Sequence, residues 1–278
     1  MRRLFVLLIL LAPILGNAQV LDIEVTGIAQ PTPVAVVPFG WQGRGEAPPL
    51  NVSTVITADL RRSGRFEPVA EEKMLQKPTD GQDVDFQDWG FVGVEAVVVG
   101  KLLQTDDNLF TLEFQLFDVV GRRQLLGYRM PRITRPTMRG AAHRAADMIY
   151  EKLTGIKGVF GTRVAYVTAK QQGDGRLYSL VIADQDGFNK HTIMESNYPI
   201  MSPAWSPDSR QLAYVSFENN RSSIWVQTLR TGNRFRVSSE PGINGAPSFS
   251  PDGRKLVITL GGVDGNPDIY VLDINSRR

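Results

Sequence analysis

A ten-residue element written twice at a fixed distance limits what this chain can fold into. Trp205-Ser206-Pro207-Asp208-Ser209-Arg210-Gln211-Leu212-Ala213-Tyr214 aligns with Phe249-Ser250-Pro251-Asp252-Gly253-Arg254-Lys255-Leu256-Val257-Ile258 at an offset of 44 residues. A second register agrees: Leu180-Val181-Ile182, Trp225-Val226-Gln227 and Tyr270-Val271-Leu272 recur every 45 residues. A period of ~40–45 residues carrying several short strands is the signature of propeller blades, each unable to bury its apolar face alone. Pro207 and Pro251 preset φ at the second position of a turn, and Asp208 and Asp252 hydrogen-bond the backbone ahead of them. Gly253 accepts a positive φ; Ser209 in its place predicts a slightly different turn shape there. Trp205 and Phe249, just before the turns, have the bulk to fill space between blades. These residues read as framework, not catalysts.

Upstream of the repeat the pattern changes to mixed α/β. Val34-Ala35-Val36-Val37 reads as a buried strand ended by Pro38. Val52, Val55, Ile56, Asp59 and Leu60 stand at helical spacing between Asn51 and Arg62, with Gly64 as a stop. Two adjacent strands are expected over Val94–Leu102 and Leu109–Val120, the second placing Leu112, Phe114 and Leu116 on one face, and a third over Gln124–Met130. Met138, Ala141, Ala142, Ala145, Met148, Ile149 and Leu153 then mark a long helix closed by Gly155. The expected architecture is an α/β N-terminal domain, a three-stranded sheet covered by helices, followed by an all-β propeller.

The first residues carry an export signal. Arg2 and Arg3 precede an apolar stretch, Leu4 to Leu15, and Gly16-Asn17-Ala18 supplies the small residues of a cleavage site. The stretch is shorter than the ~20 residues a membrane span needs, so cleavage near Ala18 is expected. The sequence holds 31 basic and 29 acidic residues; without Arg2 and Arg3 the signs balance. Basic residues occur singly or in pairs, which leaves no patch for a nucleic-acid backbone. There are no cysteines, which excludes disulfides, thiol catalysis and cysteine-ligated metals.

Enzyme readings fare poorly. No G-x-S-x-G nucleophile elbow occurs. His143 and His191 are the only histidines, too few for a zinc site, and they read as surface or packing residues. Asp184-Gln185-Asp186-Gly187 resembles part of a calcium loop, yet the register puts isoleucines, Ile182 and Ile193, where carboxylates belong; it reads as a turn between blade strands. Gly40 to Gly45 is glycine-rich without a phosphate-loop lysine and reads as a mobile loop. No cofactor is expected.

The A-x-[WF]-S-P-D-x-x-x-L-A-Y element is similar to the repeats of the TolB family and of propellers attached to peptidases. Leu21-Asp22-Ile23-Glu24-Val25-Thr26-Gly27, Val36-Val37-Pro38-Phe39, Met201-Ser202-Pro203-Ala204-Trp205-Ser206-Pro207-Asp208 and Asn244-Gly245-Ala246-Pro247 together resemble TolB. The resemblance implies a protein of the Gram-negative periplasm in the Tol-Pal system, which maintains outer-membrane integrity and supports constriction at division. It implies a six-bladed propeller that binds the lipoprotein Pal, other outer-membrane proteins as further partners, and an amino-terminal segment that binds TolA.

Divided on that basis, residues 1–18 are the signal peptide, 19–33 the partner-binding segment, 34–157 the α/β domain and 158–278 a partial propeller. TolA binding falls on Leu21, Asp22, Ile23, Glu24, Val25, Thr26 and Gly27. Their period-2 alternation is that of an edge strand able to dock on its own sheet or to extend another protein's; an ordinary first strand has the same pattern. Pal binding falls on Met201, Ser202, Pro203, Ile243, Asn244, Gly245 and Ala246. Family members can carry a histidine where this chain has Ile243, which makes the expected contact apolar. About three blades fit between Arg163 and Arg278, whereas propellers typically have 4–8, so a C-terminally truncated chain is expected. The alternative is the propeller of a secreted serine peptidase whose catalytic domain is missing.

Overall fold

The computed structural model describes residues 30–262 and 266–276; the signal sequence and the segment from Leu21 to Gly27 lie outside them. Strand β1 (Thr32–Val36) pairs in parallel with β3 (Phe66–Pro68) and with β4 (Ala96–Asp106), and β2 (Gly40–Gln42) also lies parallel to β4. Strands β5 (Leu109–Asp118) and β6 (Arg123–Ile133) extend the sheet antiparallel, giving the order β3-β1-β4-β5-β6. The sheet therefore has six strands where three were expected. Two of the additions are three-residue strands, too short to display alternation, and both are recruited by backbone pairing. One of them, β2, occupies the glycine-rich stretch expected to be a mobile loop: Gly40 pairs with Lys101 and Gln42 with Leu103.

Both faces of β1 and β4 are buried, which explains their unbroken apolar runs. Val34, Val36, Ala96 and Val98 face the helices α1 (Val52–Arg62) and α3 (Met138–Thr154), together with Leu112, Phe114 and Leu116 of β5. Ala35, Val37, Val97 and Val99 face the other way, against Trp89 of a short helix α2 (Phe86–Val92). Asn51 caps α1, its side chain accepting from the Thr54 N–H at 3.3 Å. Asp85 caps α2 in the same manner, accepting from Gln87 at 2.8 Å, and Gly155 ends α3 in the left-handed conformation. No helix among the described residues is long and apolar enough to cross a membrane.

After α3 the chain forms three antiparallel sheets. The first contains β7 (Arg163–Gln172), β8 (Gly175–Asp184) and β9 (His191–Ser196); the second β10 (Ile200–Trp205), β11 (Gln211–Ser216), β12 (Ser223–Thr228) and β13 (Arg234–Ser238); the third β14 (Ile243–Phe249), β15 (Lys255–Gly261) and β16 (Pro267–Asp273). By the repeat register β8, β12 and β16 are equivalent, so the first sheet has no counterpart of β10 among the described residues and the third none of β13. Alternation along β11 splits its side chains between two interfaces. Leu212 and Tyr214 pack with Leu180 and Ile182 of the first sheet, whereas Ala213 and Val215 join Leu256 and Ile258 of the third. Trp205 and Phe249 border these two clusters, as expected of spacers between blades.

The two repeat turns are chemically identical. Ser206 and Ser250 donate to Asp208 and Asp252 at 2.7 and 2.6 Å, and the same carboxylates accept from the N–H groups of Arg210 and Arg254, both at 3.0 Å. Ser209 (φ +57°) takes the same left-handed conformation as Gly253 (φ +71°), so the different shape expected there does not occur: the hydrogen bonds hold serine in a region that disfavours a Cβ. Ser209→Gly should therefore raise stability by about 0.5–1 kcal/mol, and Gly253→Ala should lower it by about 1 kcal/mol. A Cβ at Gly253 would meet nothing closer than 3.6 Å, so that cost is backbone conformation alone. Denaturant midpoints at constant slope are the check; effects of the same sign for the two changes would contradict the shared geometry.

Candidate functional site

Both stretches expected to contact Pal fall on first strands of blades, β10 and β14, which lie beside each other. Each strand is interrupted at the same repeat position. In β10 the register runs Met201↔Val215 and then Ala204↔Ala213, so Ser202 and Pro203 together oppose Tyr214. In β14 it runs Gly245↔Thr259 and then Ser248↔Val257, so Ala246 and Pro247 oppose Ile258. These are β-bulges, with Ser202 (φ +49°) and Ala246 (φ +45°) in the left-handed region. Proline follows in both cases, at a place where the ladder asks for no N–H.

The bulges turn small and apolar groups outward. Met201 is 52% and Ile243 53% exposed, and Ser202 and Ala246 are exposed as well. Asn244 is different: it is buried, its Oδ1 accepting from Ser238 Oγ at 2.7 Å and from the Glu240 N–H at 2.9 Å, while its Nδ2 donates to the Glu240 carbonyl at 2.8 Å. Its side chain shapes the entry to β14, and the surface it supports is presented by Ile243, Gly245 and Ala246. The structure thus places the two expected stretches on adjacent bulged strands that expose Met201, Ser202, Ile243 and Ala246.

A second cluster lies between the α/β domain and the first blade. Asp59 on α1 is fully buried, paired with Arg62 and accepting from His143 Nδ1 of α3 at 2.6 Å. On the far side of the imidazole, His143 Nε2 faces Asp186 Oδ2 at 3.6 Å, and Arg139 of α3 bonds the same carboxylate. Asp186 belongs to the turn from Asp184 to Gly187, which closes between β8 and β9 as expected through a Gly187 N–H to Asp184 carbonyl bond of 2.9 Å. Burial pushes the Asp186 carboxyl up, but the Phe188 N–H and the Arg139 guanidinium outweigh it and hold the group below its ordinary value. Asp147 of α3 shows the opposite balance: burial raises it even though the N–H groups of Phe160 and Gly161 donate to it at 2.6 and 3.0 Å.

His143 is therefore a buried residue hydrogen-bonded to Asp59 and facing Asp186, more deeply engaged than the surface or packing role expected of it. The readable signal was Asp59, a carboxylate standing among Val52, Val55, Ile56 and Leu60 on an apolar helix face, where it needs a partner. Asp59, His143 and Asp186 each offer an atom within 4.8 Å of the others, a spacing a metal ion could use. The donor set does not suit one, because the guanidiniums of Arg62 and Arg139 already supply the positive charge to those carboxylates. His191, the other histidine, is exposed at the start of β9.

Comparison with known families decides the relationship. Residues 21–125 match the TolB amino-terminal domain and residues 150–278 the TolB beta propeller domain. The chain belongs to the TolB family. It is 48% identical over 245 residues to the Tol-Pal system protein TolB of Thioalkalivibrio sulfidiphilus, an alignment covering 88% of this chain and 56% of that protein. It is 49% identical over 229 residues to the protein of the same name from Nitrosococcus oceani, covering 82% and 52%. The crystal structure of TolB from Acinetobacter baumannii superposes with a TM-score of 0.79 at 38% identity, over 90% of this chain and 60% of that one. The chain thus spans little more than half the length of the curated relatives it matches.

Proposed function

We propose that this TolB-family chain is part of a non-catalytic periplasmic scaffold of the Tol-Pal system, exported by a signal peptide cleaved near Ala18. The reading rests on one observation: the TolB amino-terminal and propeller domains occur in tandem on one chain whose relatives carry the name Tol-Pal system protein TolB. In this reading the strip formed by Met201, Ser202, Pro203, Ile243, Gly245 and Ala246, braced by Asn244, contacts Pal. Bulged strands with exposed methyl and thioether groups suit a partner with an apolar edge, and they need no titratable group for binding. Leu21 to Gly27 contact TolA by adding a strand to its sheet, with Leu21, Ile23 and Val25 filling its pockets and the backbone supplying the hydrogen bonds. No nucleic acid and no cofactor takes part, and contact with the membrane is through the partners.

The test is a pull-down of purified TolA and of Pal by the secreted protein, with and without residues 19–30. Removal of the segment should abolish capture of TolA while leaving capture of Pal intact. Undiminished capture of TolA would refute the role of the segment, and failure of the intact protein to bind either partner would refute the assignment as a whole.

A further inference from the structure

Among the described residues the α/β domain and the blades share no apolar core between their sheets. Two of the four clusters lie within the α/β domain, reaching beyond α3 only to Phe160, and the other two lie among the blades. Domains joined without a large apolar interface move relative to one another unless something else holds them. Here the crossing contacts are concentrated on one helix face and one turn. Arg139 bonds Asp186, its Nε stands 3.9 Å from Asp184 Oδ2, and its guanidinium lies 3.8 Å above the Phe188 ring. His143, one helical turn on, presents Nε2 to the same Asp186. Around them stand Asp59 and Arg62 from α1, Asp147 from α3 and Asp184 at the end of β8.

The cluster is buried yet incompletely bonded: Arg139 Nε, His143 Nε2 and Gln185 Nε2 lack a hydrogen-bond partner. A buried ionic network with unsatisfied polar atoms adds little net stability, because desolvation offsets the attraction, while it still dictates relative position. We propose that Arg139 and His143 of α3, gripping the turn from Asp184 to Phe188, form a releasable joint that sets the orientation of the first blade against the α/β domain and opens without unfolding either. The inference is independent of which partners the protein binds.

A double-mutant cycle with hydrogen exchange tests it on the whole protein. The readout is exchange at the amides of Phe160 and Gly161, which bond Asp147, and of Gln185, which bonds the Thr162 carbonyl at 3.2 Å. Asp186→Asn and Arg139→Gln should each speed exchange at these three amides about tenfold or more, leaving the core amides of β4, β5, β11 and β12 unchanged. The double variant should do no more than either single one. Should Asp186→Asn fail to fold, Phe188→Ala, at an exposed position, should give a smaller rise at the same amides. Unchanged exchange at these amides, additive effects in the double variant, or exchange that rises equally in the sheet cores would each overturn the joint.

Discussion

Truncating Tyr214 to alanine should destabilise the propeller by about 3–5 kcal/mol, the range for removing a large buried ring. Tyr214 is fully buried at the middle of β11, where it packs with Leu180 and Ile182 of the first blade and with Ile200 and Leu212 of its own. Its hydroxyl donates to Gln227 Oε1 at 3.0 Å, and burial pushes the phenol up, so it stays protonated and able to donate. Tyr214→Phe keeps the ring and loses one hydrogen bond, for a cost of about 1 kcal/mol. The gap between the two variants measures how much of the joint between the first two blades is packing. Chemical denaturation followed by Trp fluorescence gives both numbers, and a loss below about 1 kcal/mol for alanine would show that the two blades do not depend on this ring.

Asp59→Ala should cost the α/β domain about 3 kcal/mol. The carboxylate is completely buried and serves His143 Nδ1 and Arg62 together. Removing one member of a buried pair leaves the other without its compensation, and here a cavity beneath α1 adds to the loss. Asp59→Asn, close in shape, retains an acceptor for one of the two donors and should cost about half as much. Melting of both variants against the parent is the measurement; an alanine variant as stable as the parent would mean that His143 finds another acceptor.

How much of this was legible beforehand depended on how local the signal is. Blades were readable because two of them repeat the same Ser-Pro-Asp turn followed by an apolar run and all three share the 45-residue register, and the turns use the hydrogen bonds that those residue types supply. Helices α1 and α3 were readable from periodicity over three or more turns. Helix α2 was not: its seven residues are too few to show a period, although Asp85 and Gly93 mark its ends. Nor were β2 and β3, each three residues long, since such strands exist only because β4 and β1 offer an edge with free N–H and C=O groups. The clearest conflict was at Ser209, where the hydrogen bonds of the Ser-Pro-Asp turn impose on serine a conformation that residue preference would assign to glycine.

The strip proposed to contact Pal shows the same division. Resemblance placed Met201 to Pro203 and Ile243 to Ala246 at a surface, but nothing in their order along the chain shows that Asn244 is turned inward to brace the loop. Likewise Asp59, Arg139, His143 and Asp186 are spread over more than a hundred residues and carry no motif spacing. The sequence by itself determined the class of fold, the blade period, the positions of the long elements and the family. Only the tertiary structure decided which of the rare buried charges meet, because ion pairing across α1, α3 and the turn after β8 depends on distances between elements that no local pattern encodes.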